Sequence, residues 1–190
     1  MMNLAEYRRT ASRLADFLPW AALVDEGVVL NKDGSFQRTA RFRGPDLDSA
    51  VAAELVAVAG RLNNAFRRLG SGWAIFVEAQ RHEAATYPTS RFGDAASALV
   101  DAERKADFEE AGTHYESSYF LTFLYLPPAE DAARAETWLY EGRDHAGVDP
   151  HESLASFIDR TDRVLQLVEG FMPECRWLDD GETLTYLHST

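Results

Sequence analysis

The chain has 190 residues, of which 46% are hydrophobic and 26% charged, and a formal net charge of −12. That length supports one well-buried domain, in which roughly 70% of the unfolded surface leaves water on folding, and the composition excludes disordered and fibrous classes. The acidity argues against a general nucleic-acid surface, which requires concentrated positive charge.

From the N-terminus, the pattern predicts a helix over residues 4–18. Leu4, Tyr7, Leu14, Phe17 and Leu18 lie roughly on one side, and Pro19 ends or bends it. This end is basic: residues 1–43 hold seven Lys and Arg against five Asp and Glu, the rest twelve against twenty-six. Arg8, Arg9, Arg13, Phe17 and Trp20 are therefore the candidate contacts to a membrane partner's groove or an acidic membrane surface; the alternative is that the helix caps the domain's own sheet. Residues 28–30 and 35–42 flank Asn31-Lys32-Asp33-Gly34, and Asp-Gly between two β-rich runs signals a hairpin. A second helix runs from Asp48 to about Leu69, because Val51, Leu55, Val58, Leu62, Ala65, Phe66 and Leu69 recur every three or four residues and form a stripe expected to be buried. Gly70 and Gly72 stop it, and from Trp73 the period drops to two, so a strand follows directly.

Asp94 can cap a helix reaching about Glu110, with Leu99, Ala102, Ala106 and Phe108 as a weak apolar side. Residues 119–126 are apolar on both faces and stop at Pro127-Pro128, as a central strand does. Residues 130–140 read as a helix with acids in its first turn. Asp149 as cap, Pro150 at the first position and Glu152 at the third open another helix, which carries Leu154, Phe157, Ile158, Leu165 and Val168 and ends at Gly170. A short strand over 176–178 and a helix from Glu182 close the chain. The expected fold is one α+β domain over 1–190, a largely antiparallel sheet of four to five strands covered by helices, with a helical C-terminal third.

Three groups could carry chemistry. Glu141, Asp144, His145, Asp149, His151 and Glu152 crowd one connection and could hold a divalent metal in a small metal-dependent enzyme, but capping explains two of them and no HExxH-like spacing occurs. His82 beside Glu83, and His114 near Glu116, have no motif-placed nucleophile around them and read as strand-end histidines. Cys175 is the one cysteine, without a disulfide partner, which agrees with a reducing compartment. The longest apolar stretch, residues 17–24, carries Pro19 and is far short of the ~20 residues that span a bilayer. No signal-peptide pattern is present, and the chain is expected to be cytoplasmic.

RLNNAFRRLGSGWAIFVEAQR (residues 61–81), with VVLNKDGSFQRTARFRG (28–44) before it and YPTSRF (87–92) and HYESSYFLTFLYLPP (114–128) after it, resembles the N-terminal region of TrbE-type conjugal-transfer ATPases, in the CagE/TrbE/VirB family of type IV secretion proteins. The likeness runs from Asn3 to His188, with its segments in the same order. It implies the front end of a large ATPase that energises pilus assembly and substrate transfer at the inner membrane. A P-loop requires a Lys on the phosphates and a hydroxyl on magnesium. The two Lys residues, Lys32 and Lys105, follow Asn31 and Arg104 and sit in no such motif, so no catalytic, cofactor or metal residue is carried over. ATP and magnesium are expected only in a motor domain after residue 190. The resemblance further implies a non-catalytic docking and oligomerisation role at the cytoplasmic face of the bacterial inner membrane. Its partners would be inner-membrane secretion subunits, its own ATPase domain and further copies of itself.

Overall fold

The structure, a computed structural model, describes residues 13–84, 86–112, 114–127 and 150–189. The helix expected over 130–140 lies outside them. The described elements are α1 (Leu14–Phe17), β1 (Trp20–Asp25), β2 (Val28–Asn31), β3 (Phe36–Arg43), α2 (Ala52–Phe66), β4 (Trp73–Glu83), α3 (Ala95–Ala111), β5 (Tyr115–Tyr125), α4 (Pro150–Glu169), β6 (Glu174–Trp177) and α5 (Asp180–Ser189). They form two compact units, one made of the described residues up to Val77 and from Phe120, the other of Glu78–Tyr119.

The fold is α+β around a mostly antiparallel six-stranded sheet of order β1-β2-β3-β5-β4, with β6 also paired to β3. The Asp-Gly hairpin forms as the sequence predicts, with Val28 opposite Arg38 and Leu30 opposite Phe36. Ser35 N and Oγ both donate to Asp33 Oδ1, so the aspartate fixes the turn while Gly34 supplies its positive φ of 83°. Asn31 N donates to Ser35 O, so the odd residues of β3 turn their backbone groups toward β2; Thr39 O, next along that edge, accepts from Leu178 N at 3.0 Å. β2 and β6 thus follow one another along a single edge of β3, and β5 takes the other. β5 is central, as its two-faced apolarity predicts. The sixth strand, β1, is the one the sequence pattern misses: its run Trp-Ala-Ala-Leu-Val-Asp does not alternate, and it extends the expected four to five strands by one.

In the first unit, the even residues of β2 and β3 and the odd residues of β5 meet α4. Val28, Leu30, Phe36, Leu154 and Phe157 form one buried cluster, and Ala65, Leu69, Leu121, Phe123, Val164 and Val168 form the next. Phe157 lies at the centre, 5.6 Å from the Phe36 ring and stacked at 5.5 Å and 12° on Trp73. The opposite face is covered by α5, whose Tyr186 and Leu187 pack on Val29 and Leu178. There Thr39 and Thr122 share a 2.9 Å hydrogen bond between their hydroxyls, and Tyr186 OH lies 3.3 Å from Thr122 Oγ1. Two buried polar residues on neighbouring strands satisfy one another.

The predicted stripe of α2 is only partly buried. Ala65 and Leu69 are in the core, but Val51 and Leu55 are 61% and 45% exposed, so the first turns of the helix lie beyond the covered area. The helix begins at Ala52 rather than Asp48, with Glu54 Oε2 accepting from Val51 N. In the second unit, Asp94 caps α3 as expected by accepting from Ser97 N at 2.8 Å. The helix is held by Phe108, which stacks on His114 at 3.9 Å and meets Tyr87 at 5.6 Å, and by Asp101, which accepts from Tyr87 OH.

Candidate interaction surface

Among the predicted contact residues, Arg8 and Arg9 lie outside the described residues. Arg13 is exposed and precedes α1, and its backbone N–H donates to Asp16 Oδ2 at 2.9 Å. Leu14 and Phe17 are 77% and 69% exposed, so this short helix presents apolar side chains to solvent beside an arginine. Trp20 goes elsewhere. It opens β1 opposite Asn31, packs on the cluster of Val29, Leu178 and Tyr186, and places its ring 6.3 Å from that of His188. Pro19 ends the helical register, and Pro19 O accepts from Lys32 N at 2.7 Å, which draws the chain into the sheet.

The candidate chemical groups have structural partners. His82 Nε2 donates to Glu116 Oε1 at 3.0 Å, and His114 Nε2 donates to Phe108 O at 2.9 Å. His151 and Glu152 are exposed on the first turn of α4, whereas Glu141, Asp144, His145 and Asp149 lie outside the described residues. Among the described residues, no group of three or more His, Cys, Asp or Glu is placed to hold a metal ion. Cys175, on β6, has its thiol pushed up to about 11 by burial and by the Glu169 charge, which disfavours the nucleophilic thiolate.

Two polar clusters brace the C-terminal elements. Arg38 lies with its guanidinium 4.1 Å over the Trp177 ring and donates to Asp162 Oδ1 at 2.7 Å, and Trp177 Nε1 donates to the same oxygen at 2.8 Å. One carboxylate therefore joins β3, β6 and α4. Arg176 pairs bidentately with Glu182 through two 2.7 Å bonds, while Glu182 and Asp179 exchange backbone-to-carboxylate bonds as the capping box of α5. Sequence reasoning missed this cap, although Asp179-x-x-Glu182 is its signature.

The Arg176 guanidinium, and then the Asp179 N–H, hold the Glu182 carboxyl down at about 2. A folded-state value below the unfolded one contributes stability that is present above about pH 4.5 and lost as pH falls toward 2. The paired side chains are 47% and 37% exposed, so screening keeps this below ~1 kcal/mol. Glu182→Gln is expected to remove the corresponding part of the acid-side slope in urea melts between pH 5 and 2 while leaving the slope near neutrality unchanged.

The larger open surfaces lie on helices. In α3 no residue is buried, and Leu99 and Val100 are 64% and 52% exposed. The residues read from sequence as its apolar side, Leu99, Ala102 and Ala106, face outward, while Phe108 alone turns inward. An open cleft of about 330 Å³ is lined by Phe92, Ala96, Ser97, Val100, Asp101 and Arg104. In the first unit, Arg61, Asn64, Leu167, Gly170 and Phe171 line another of about 300 Å³, with Arg61 6.0 Å over the Phe171 ring. Among the described residues, no helix is long and apolar enough to cross a membrane.

Comparison with known proteins gives a family match over residues 27–133, to the N-terminal domain of the type IV secretion system ATPase VirB4/TrbE. The chain is 38% identical over 143 residues to the "Conjugal transfer protein TrbE" of Rhizobium radiobacter; the match covers 74% of this chain and 17% of that protein. It is 42% identical over 130 residues to the first portion of a split "Probable conjugal transfer protein TrbE" of Sinorhizobium fredii (strain NBRC 101917 / NGR234), covering 67% of this chain and 87% of that one.

Proposed function

Because the chain belongs to the VirB4/TrbE N-terminal domain family of type IV secretion ATPases, we propose that it is a non-catalytic docking domain, which couples an ATPase motor to inner-membrane secretion subunits at the cytoplasmic face. The observation that carries this reading is the apolar surface left open beside a formed core: Leu14 and Phe17 on α1, Val51, Leu55 and Val56 on α2, Leu99 and Val100 on α3. Exposed apolar residues gathered on single elements favour partner binding over a solvated face. The two lysines support a non-enzymatic role, since Lys32 lies in the β2–β3 turn and Lys105 pairs with Glu109 at 3.8 Å on α3.

The test is binding of the purified chain to purified inner-membrane channel subunits of the same conjugation system, one at a time, with ATP titrated separately. Micromolar binding to at least one subunit, weakened at least tenfold by Leu14→Asp with Phe17→Asp or by Leu99→Asp, is expected. Saturable ATP binding with no subunit bound would overturn the reading. A second reading, a peripheral membrane module, is favoured only by Arg13, Leu14 and Phe17 lying exposed together. Flotation with anionic vesicles that is lost in Arg13→Glu with Phe17→Asp would select it.

A further inference from the structure

We propose that a second copy of this chain lays the outward face of its α3 along the outward face of α2, with the two helices parallel. This self-contact rests on the reading of the chain as a docking domain and names one partner for it.

The α2 face points outside the molecule for a reason its own fold does not supply. Gly60 sits in the middle of a fifteen-residue helix, where glycine weakens the helix relative to alanine, yet a Cβ added there would meet nothing within 4 Å. A glycine that costs helix stability and clears space for nothing within the chain fits the close approach of another backbone from outside. Ala53, Ala57 and Asn64 share the face with Gly60 at helical spacing, and all are exposed. Val56, 73% exposed, borders the N-terminal half, while Arg61, Arg67 and Arg68 border the C-terminal half. The surface is small and apolar at one end and basic at the other, in a chain whose net charge is −12.

The outward face of α3 has the matching pattern. Ala95, Leu99, Ala102 and Ala106 follow one another at spacings of three and four and are all exposed. The charges bordering this stripe are acidic and lie toward the C-terminal half: Glu103, Asp107, Glu109 and Glu110. The basic residues of α3 lie off it, with Lys105 paired to Glu109 and Arg104 lining the cleft beside Asp101. Set parallel, the spacing from Leu99 to Glu103 and Glu110 corresponds within one residue to that from Val56 to Arg61 and Arg67. Leucine then meets the small-residue face, and acids meet arginines. An antiparallel pair would set the acids against Val56 and leave the arginines without partners. Because the two surfaces differ, the contact is heterologous and propagates into rings or open chains rather than closing as a twofold dimer.

Two variants, each lacking one surface, test the contact by sedimentation velocity: Glu103→Arg with Glu110→Arg, and Gly60→Leu with Arg61→Glu. The wild-type chain is expected to associate reversibly with a Kd on the order of 100 µM, the regime of small interfaces. Each variant alone should sediment as a monomer, and an equimolar mixture should form a dimer and nothing larger, because each retains the surface the other has lost. Gly60→Ala, which improves helix propensity, should raise the melting temperature while weakening association about tenfold, so a loss of association there cannot be loss of fold. The proposal is overturned if either double variant associates like wild type, or if the mixture stays monomeric. It is also overturned if the wild-type chain is monomeric and the α3 variant instead loses binding to a channel subunit. In that last case the docking reading stands and α3 serves another partner.

Discussion

Phe157→Ala is expected to cost about 3–5 kcal/mol of folding stability, a large share of the ~5–15 kcal/mol that holds a domain together. The side chain is 1% exposed and lies between Phe36 and Trp73, the latter itself packed 4.7 Å from Tyr125. Truncation would remove aromatic contacts on two sides, and the sheet, braced by hairpin and cross-strand hydrogen bonds, is poorly placed to collapse into the space. Urea denaturation followed by Trp fluorescence reads the loss as a lower midpoint at unchanged slope. Phe157→Leu, which keeps much of the volume, should cost roughly half as much. A midpoint within error of wild type for the alanine variant would mean that α4 is not the seat of the core.

Gly27→Ala should be nearly as damaging, by about 2–4 kcal/mol. Gly27 has φ +64°, a region that disfavours any side chain, and a Cβ there would run into the carbonyl oxygen of Leu178. Its N–H also donates to Asp180 Oδ1 at 2.8 Å, so the displacement would disturb both the end of β6 and the start of α5. Gly70→Ala is the control. Its φ is +78° but a Cβ would meet nothing within 4 Å, so it should lose only the conformational part, about 1 kcal/mol. At roughly 2–4 °C per kcal/mol for a domain of this size, thermal melts separate the two cleanly. Equal shifts would show that the approach to Leu178 relaxes without cost.

Local chemistry made much of this fold legible. Asp33-Gly34 could only turn a hairpin, Asp94 and Pro150 marked helix starts, and the change of period at Trp73 marked a strand. What escaped was decided by distant partners. β1 carries no alternation because it starts on a tryptophan that packs against α5, an element more than a hundred residues away in sequence. Periodicity showed that α2 and α3 each have an apolar side but not how much of it would be covered. On α2 the stripe runs past the end of the core, and on α3 the side with Leu99 and the alanines faces water while Phe108 holds the helix down. The same limit applies to the candidate contacts, where Arg13 and Phe17 read correctly as exposed while Trp20 was claimed by the sheet.

The shared edge of β3 also governs the order in which the molecule can form. Residues 36–38 find β2 within one tight turn, but Ala40–Arg43 wait for Glu174–Trp177, more than a hundred residues later. As the chain leaves the ribosome, half of that edge stays unpaired until almost all of the described sequence has been made, and contacts of such long sequence separation form slowly. An unpaired strand of Phe-Gln-Arg-Thr-Ala-Arg-Phe-Arg would be a template for wrong pairing were it apolar throughout. The arginines at 38, 41 and 43 therefore serve as gatekeepers during synthesis. Two of them later face Asp162 and Glu174 across the completed fold, so residues that keep the nascent strand soluble become part of its closure.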